Sequence, residues 1–261
     1  MRCNVMNVVV GFFVVVAFFG IAGCGSGGAD SPVVQGPQSS TAEGMWDGTT
    51  NSGSKILGFV LDDGSYYAVY TDPNSTYTSG VVIGNGNSQN GTYSASNTLD
   101  FYFGTSPYIS SASVTGSYTS MQTFNGSLKW ANNTSVTFNS TYDTRYNQTP
   151  SLAAIAGTYN GEIVAGSSTI GPDFDSSQVV VNSNGSVSGK TALGCNYSGS
   201  VTPRSHGNIY NINILMGPSP CDFAGQNLTG MAFYSSDNGN LIAMAPSANR
   251  SGGFLILGSR Q

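Results

Sequence analysis

From Met45 onward the chain is a succession of short runs of β-branched and aromatic residues, each closed by Gly, Asn, Asp or Ser. That punctuation is the strongest constraint on the fold, because no run is long enough for a stable helix and each ends in turn chemistry. Nine runs come first: Met45–Thr49, Ile56–Leu61, Tyr66–Thr71, Gly80–Ile83, Gly91–Ser94, Leu99–Phe103, Ala112–Tyr118, Thr123–Trp130 and Ser135–Ser140. Arg145 to Ser151, with Pro150, interrupts them, and Leu152–Ala156 is a short helix-like stretch. Eight more follow: Gly157–Val164, Gln178–Asn182, Ser186–Thr191, Cys195–Thr202, Ile209–Met216, Gln226–Tyr234, Leu241–Ala245 and Gly253–Leu257. Asp62-Asp63-Gly64, Asn90-Gly91, Asn125-Gly126, Asn184-Gly185 and Asn238-Gly239 carry hairpin chemistry, since Gly and Asn tolerate positive φ. Thr123–Trp130 and Ser135–Phe138 alternate apolar with polar, as a meander with one wet face requires.

The expected fold is therefore all-β, in two antiparallel up-and-down barrel-like units spanning 41–146 and 152–261. Each unit opens on the same G-x-aromatic-x-G pattern, Gly44-Met45-Trp46-Asp47-Gly48 and Gly157-Thr158-Tyr159-Asn160-Gly161. Charged residues make up 8% of the chain, against about a quarter in ordinary soluble domains, and Ser, Thr, Asn and Tyr take their place. The net charge of −5 provides no basic surface for phosphates, which argues against nucleic acid as a partner.

Ahead of the strands, Met1-Arg2 leads into an almost wholly apolar run from Val8 to Ala22. A run of this length suits a signal-peptide core better than a membrane span of about 20 residues. It ends in Ile21-Ala22-Gly23-Cys24, which resembles the lipobox of bacterial lipoproteins, with Ile21 where that family usually has Leu. The resemblance implies a signal peptide over 1–23 that is removed, diacylglycerol on the Cys24 sulfur and an acyl chain on the new amino terminus. Gly25 in place of Asp implies the outer membrane as destination. Residues 24–40, rich in Gly, Ser and Pro, read as a flexible lipidated tether, so the membrane is an expected partner through its lipid.

Cys3 leaves with the signal and Cys24 takes lipid, which leaves Cys195 and Cys221 in an oxidising compartment. Both look like strand starts, and a disulfide between them closes a loop of 26 positions. With no His or further Cys beside them, a metal or catalytic role is not assigned.

Chemistry-bearing residues are sparse. His206, the single histidine, follows Ser205 in a Ser-Gly-Asn context that places it at a hairpin tip, without a nucleophile-elbow pattern. Asp62-Asp63 reads as a turn rather than as a catalytic pair. Asp173 and Asp175 sit in a stretch, Gly171–Ser177, that reads as a solvated loop lacking the remaining ligands of a calcium loop. Asn-x-Ser/Thr triplets at Asn74, Asn125, Asn139, Asn184 and Asn227 follow from composition and are not read as glycan sites. Tyr66, Tyr67, Tyr70, Tyr77, Tyr93, Tyr102 and Tyr108 concentrate in the first unit, suited to a barrel core or rim or to a binding face there. No catalytic, metal or cofactor residue is assigned.

Gly-x-Trp near a first strand resembles the calycin barrels. A Gly-rich lipidated tether leading into two β units resembles the surface lipoproteins of the factor H-binding and transferrin-binding type. The expectation is a non-catalytic binding protein of the cell envelope, its partner a protein or a small molecule. The alternative is a carrier with an apolar ligand inside a calycin-like barrel, and an enzyme is disfavoured by the shortage of His, Glu and charged clusters.

Overall fold

The computed structural model describes residues 41–261; the expected signal peptide, Cys24 and the tether lie outside them. In the first unit, the described strands are β1 (Gly44–Thr50), β2 (Lys55–Val60), β3 (Ser65–Thr71), β4 (Gly80–Asn85), β5 (Asn87–Gln89), β6 (Thr92–Tyr102), β7 (Ile109–Thr119), β8 (Thr123–Trp130) and β9 (Ser135–Tyr142). A 3₁₀ turn, Thr144–Asn147, and a short helix α1 (Leu152–Ile155) lead to the second unit. Its strands are β10 (Gly157–Ser167), β11 (Gly171–Val181), β12 (Ser186–Thr191), β13 (Asn196–Pro203), β14 (Tyr210–Met216), β15 (Asn227–Tyr234), β16 (Asn240–Pro246) and β17 (Gly252–Arg260).

Both units are antiparallel barrels of eight strands. β10 to β17 close in chain order, β17 pairing back onto β10 from Tyr159↔Arg260 to Ser167↔Gly252. The first barrel closes differently, because β4 reaches past β5 to pair with β6, from Gly80↔Tyr102 to Ile83↔Leu99. β5 pairs only with the first residues of β6 and lies beside the ring. β1 and β9 complete the circuit.

The G-x-aromatic motif has one structural meaning in both barrels. Trp46 Nε1 donates to the Ala42 carbonyl at 3.0 Å, and Tyr159 Oη donates to the Ile155 carbonyl at 2.6 Å. In each case the aromatic on the first strand ties down the segment four residues earlier, whose Ala42 or Ile155 side chain is buried. The last residue of the last strand then covers the aromatic. The Tyr142 ring stands 5.4 Å from Trp46, and the Arg260 guanidinium lies 5.5 Å from the Tyr159 ring. Glycine is needed at the head of the motif for space. A Cβ at Gly44 would come within 2.7 Å of the Tyr142 ring, and one at Gly157 within 2.8 Å of Arg260 Nε.

The barrels belong to one compact unit and share an apolar core. Outward-facing Phe59, Val81 and Ile83 of the first meet Met231, Phe233, Met244 and Leu255 of the second, with Met45, Tyr146 and Ile209 at the margin. Strands on this side are therefore apolar on both faces, which explains near-continuous runs such as Phe254-Leu255-Ile256-Leu257. The single wet face expected of the meander holds for β8 and β9, away from the contact. Polar clasps rim the core. Arg204, in the β13–β14 turn, pairs with Asp62 and, at 3.1 Å, with Asp63 in the β2–β3 turn. Arg250 Nη2 donates to the Asn97 carbonyl at 2.7 Å.

The structure corrects four local expectations. Asn125-Gly126 is no hairpin but lies inside β8, paired across β7 at Ser117 and Gly116, because the true turn falls at Ser120–Gln122. Gly171–Ser177 is not a loop; it is the first half of β11, held by the long β10 hairpin, so Asp173 and Asp175 are strand residues opposite Ala165 and Ile163. Gly91–Ser94 and Leu99–Phe103 belong to a single bulged strand, β6. Cys221 is not at a strand start but in the β14–β15 turn, while Cys195 immediately precedes β13. Their sulfurs are nonetheless bonded, at 2.02 Å. Closing a 26-residue loop this way contributes about 3 kcal/mol, largely through the unfolded chain.

Candidate functional site

The two barrels differ in what fills them. In the second, Tyr159, Val179, Tyr197, Ile212, Ile214, Ala243, Phe254 and Ile256 interlock and leave a void of about 30 Å³, room for a single water at most. The first holds a cavity of about 940 Å³. Part of the wall of this cavity is small, with Gly58, Ala68, Val82 and Val114 among the residues lining it.

The cavity has a floor and a mouth. At the floor, Trp46, Tyr66, Tyr93, Phe124 and Phe138 form a chain of edge-to-face contacts with centroids 5.2 to 5.9 Å apart. The described chain begins at this end, where Ala42 is buried against the same cluster and its amide donates to Ser88 Oγ at 3.1 Å. The mouth is ringed by the β1–β2, β3–β4, β6–β7 and β8–β9 turns, through Asn51, Ser52, Asp72, Thr105, Pro107 and Asn132.

Just inside the mouth sits Asp100, buried on β6 at 6% exposure. Tyr70 Oη donates to its Oδ1 at 2.9 Å, and Trp130 Nε1 donates to its Oδ2 at 2.8 Å. Tyr70 reaches it across β4 at Gly80, where any Cβ would overlap the tyrosine hydroxyl. Burial pushes the Asp100 carboxyl above the usual carboxylate range; the two donated hydrogen bonds oppose that shift without cancelling it. Burial likewise raises Tyr70, and Tyr66, bonded to Thr98 Oγ1, is pushed up to about 12. Asp72 and Asp100 are the charged side chains lining the cavity among the described residues, and neither forms a salt bridge there.

Asp100 faces inward because of the β6 bulge. On β7, Val114 to Ala112 is two steps; on β6, Ala95 to Thr98 is three, so β6 carries one extra residue. That residue inverts the alternation. Tyr93 and Ala95 point inward before the bulge, and Asp100 and Tyr102 do so after it, while Leu99 and Phe101 turn outward to the core between the barrels. Arg250 of the second barrel donates to the Asn97 carbonyl within the bulge, and Asn97 Oδ1 accepts from the Asn85 amide at 3.1 Å.

The residues weighed in the sequence fall as follows. Tyr66, Tyr70, Tyr93 and Tyr102 line the cavity, Tyr67 packs between the barrels, and Tyr77 is exposed in the β3–β4 loop. His206 is exposed in the β13–β14 turn, its Nδ1 3.4 Å from Glu43 Oε1. Asp62 and Asp63 are brought together by Arg204 rather than across a cleft. Among the described residues, no three His, Cys, Asp or Glu side chains gather as a metal site. Asp100 and Trp130 were not singled out in the sequence. The one available signal was the gap between Ser94 and Leu99, where the alternation changes phase.

No family model matches the chain, and no curated protein matches it. Among solved structures, it is similar to a crystal structure of a protein of unknown function from the DUF3598 family of Nostoc punctiforme. The two are 11% identical over 84% of this chain and 96% of that one, with a TM-score of 0.33.

Proposed function

We propose that this protein is a non-catalytic binding protein that carries a small, largely apolar molecule inside its first barrel. The observation behind this reading is the contrast between a cavity of about 940 Å³ in one barrel and about 30 Å³ in its neighbour. Ligand sites span about 300 to 1,000 Å³, apolar and aromatic with a few placed polar groups, and the first barrel has that make-up. Of the two sequence-based expectations, the carrier is therefore favoured over the protein-recognition module. The second barrel serves as scaffold: it buries the outer face of β2, β3, β4 and β6 and holds the bulge through Arg250.

Both tryptophans, Trp46 and Trp130, line the cavity, so intrinsic fluorescence reports its occupancy. Titration with N-phenyl-1-naphthylamine, a neutral apolar probe, is expected to show saturable binding of one probe per chain with quenching of both tryptophans. Absence of saturable binding, together with no retained molecule in native mass spectrometry of protein from its own envelope, would overturn the carrier reading.

The same proposal places the protein at the outer membrane, held by lipid on Cys24, on the strength of the lipobox-like Ile21-Ala22-Gly23-Cys24. A chain tethered from its amino-terminal side joins the barrel at the floor, which leaves the mouth at the opposite end. Globomycin treatment of cells making the protein is expected to accumulate the precursor. A mature form that starts anywhere but Cys24 would refute the anchor.

A further inference from the structure

We infer that the ligand of the first barrel is an organic cation, an ammonium group on an apolar body, with its charge seated against Asp100 and the body in the aromatic interior. This deepens the carrier reading and rests on it. A carboxylate offers about four lone-pair sites. Tyr70 and Trp130 occupy one on each oxygen of Asp100, which leaves acceptor capacity directed into the cavity.

A buried carboxylate ordinarily has a cationic partner, since isolated buried charge is strongly unfavourable. Among the described residues no Lys, Arg or His lines this cavity, and the second acid, Asp72, stands at its rim. The field inside is therefore negative, hostile to fatty acids and other anions and favourable to a cation. Around Asp100 the walls are Tyr70, Tyr102 and Trp130, whose ring faces attract cationic nitrogen. The bulge brings these features together: without its extra residue, Asp100 and Tyr102 would point outward and Leu99 and Phe101 inward. A carboxylate needed only to brace Tyr70 and Trp130 would leave the cavity indifferent to ligand charge, and that is what the experiment tests.

Decylamine, decyltrimethylammonium, decanol and decanoate share one chain length and differ in charge. Each is titrated against the full-length protein loaded with N-phenyl-1-naphthylamine, and displacement is read by fluorescence. Both cations are expected to bind at least about ten-fold more tightly than decanol, and decanoate most weakly. Tighter binding of decylamine would identify an N–H donor to Asp100; tighter binding of decyltrimethylammonium would identify seating on the aromatic faces. Asp100→Asn is expected to abolish the preference for the cations over decanol, read as the ratio of the two affinities within each protein.

A second measurement needs no variant. Decyltrimethylammonium keeps its charge at all pH values, so its affinity for the wild-type protein is expected to fall from neutral pH down to about pH 4, as Asp100, raised by burial, takes up a proton. Decanol affinity is expected to stay level. Apart from the rim acid Asp72, the other titratable side chains facing the cavity among the described residues are tyrosines: burial raises Tyr66, Tyr70 and Tyr93, and Tyr102 lines the same wall. Equal affinity for cations and decanol, or a cation preference that survives both Asp100→Asn and acidification, would overturn the inference while the carrier reading stands. Failure of every compound, with N-phenyl-1-naphthylamine itself unbound, would remove both.

Discussion

Truncating Phe233 to alanine is expected to cost about 3–5 kcal/mol, the range for deleting a buried aromatic ring from a core that cannot collapse around the gap. Phe233 is 2% exposed, with its ring centroid 5.4 Å from that of Phe59 on the other barrel and the Arg145 guanidinium 5.8 Å from its face. The residue lies on β15, in the barrel that has no tryptophan, yet both tryptophans lie in the other one. Urea unfolding followed by tryptophan fluorescence therefore reads out coupling as well as stability. If the shared core joins the barrels thermodynamically, the tryptophan-monitored midpoint shifts with the far-ultraviolet circular dichroism midpoint. A fluorescence midpoint that stays put while the dichroism signal splits would show that the barrels unfold independently.

The second large effect concerns the cavity. Ala68→Trp sets an indole on the inner face of β3, into the space between Trp46 and Val114, both of which line the same void. Probe affinity is expected to fall at least about ten-fold, equivalent to roughly 1.4 kcal/mol. Stability is expected to hold or rise, because added atoms find partners in empty space rather than clashing. Val114→Phe, on β7, tests the same volume from another wall. Undiminished probe binding in both variants, with the fold intact by circular dichroism, would place the ligand elsewhere. The two expectations run in opposite directions: one barrel interior has room for added bulk, while the contact between the barrels is filled.

Much of the fold was legible because its signals are local. Alternation and turn residues located nearly every strand to within a few residues, and Gly64, Gly91, Gly185 and Gly239 take the positive φ that their turns require. The disulfide was legible from the cysteine count and the expectation of an oxidising compartment. Asn125-Gly126 misled because a turn-forming dipeptide is also tolerated inside a twisted strand when pairing on both sides holds it. Asp173 and Asp175 misled for the converse reason: polar residues look like loop, yet the long β10–β11 hairpin continues its pairing through them, opposite Ala165 and Ile163.

The candidate site was less legible. The tyrosines drew attention to the first unit, but Asp100 in Thr98-Leu99-Asp100-Phe101 reads as an outward polar residue between two inward apolar ones. The opposite holds, because a one-residue bulge sits upstream and a second barrel waits outside to bury Leu99 and Phe101.

From its residues alone, the chain determined that it would be a string of antiparallel strands in two like-headed units, since hydrogen-bonding period and turn chemistry act over a few residues. Which side of each strand faces inward, that β4 skips β5 to close on β6, and that one barrel stays open while the other fills were decided only in the tertiary structure. Those outcomes depend on volume and register summed around a closed ring and across the face between two rings, quantities that no single stretch of sequence contains.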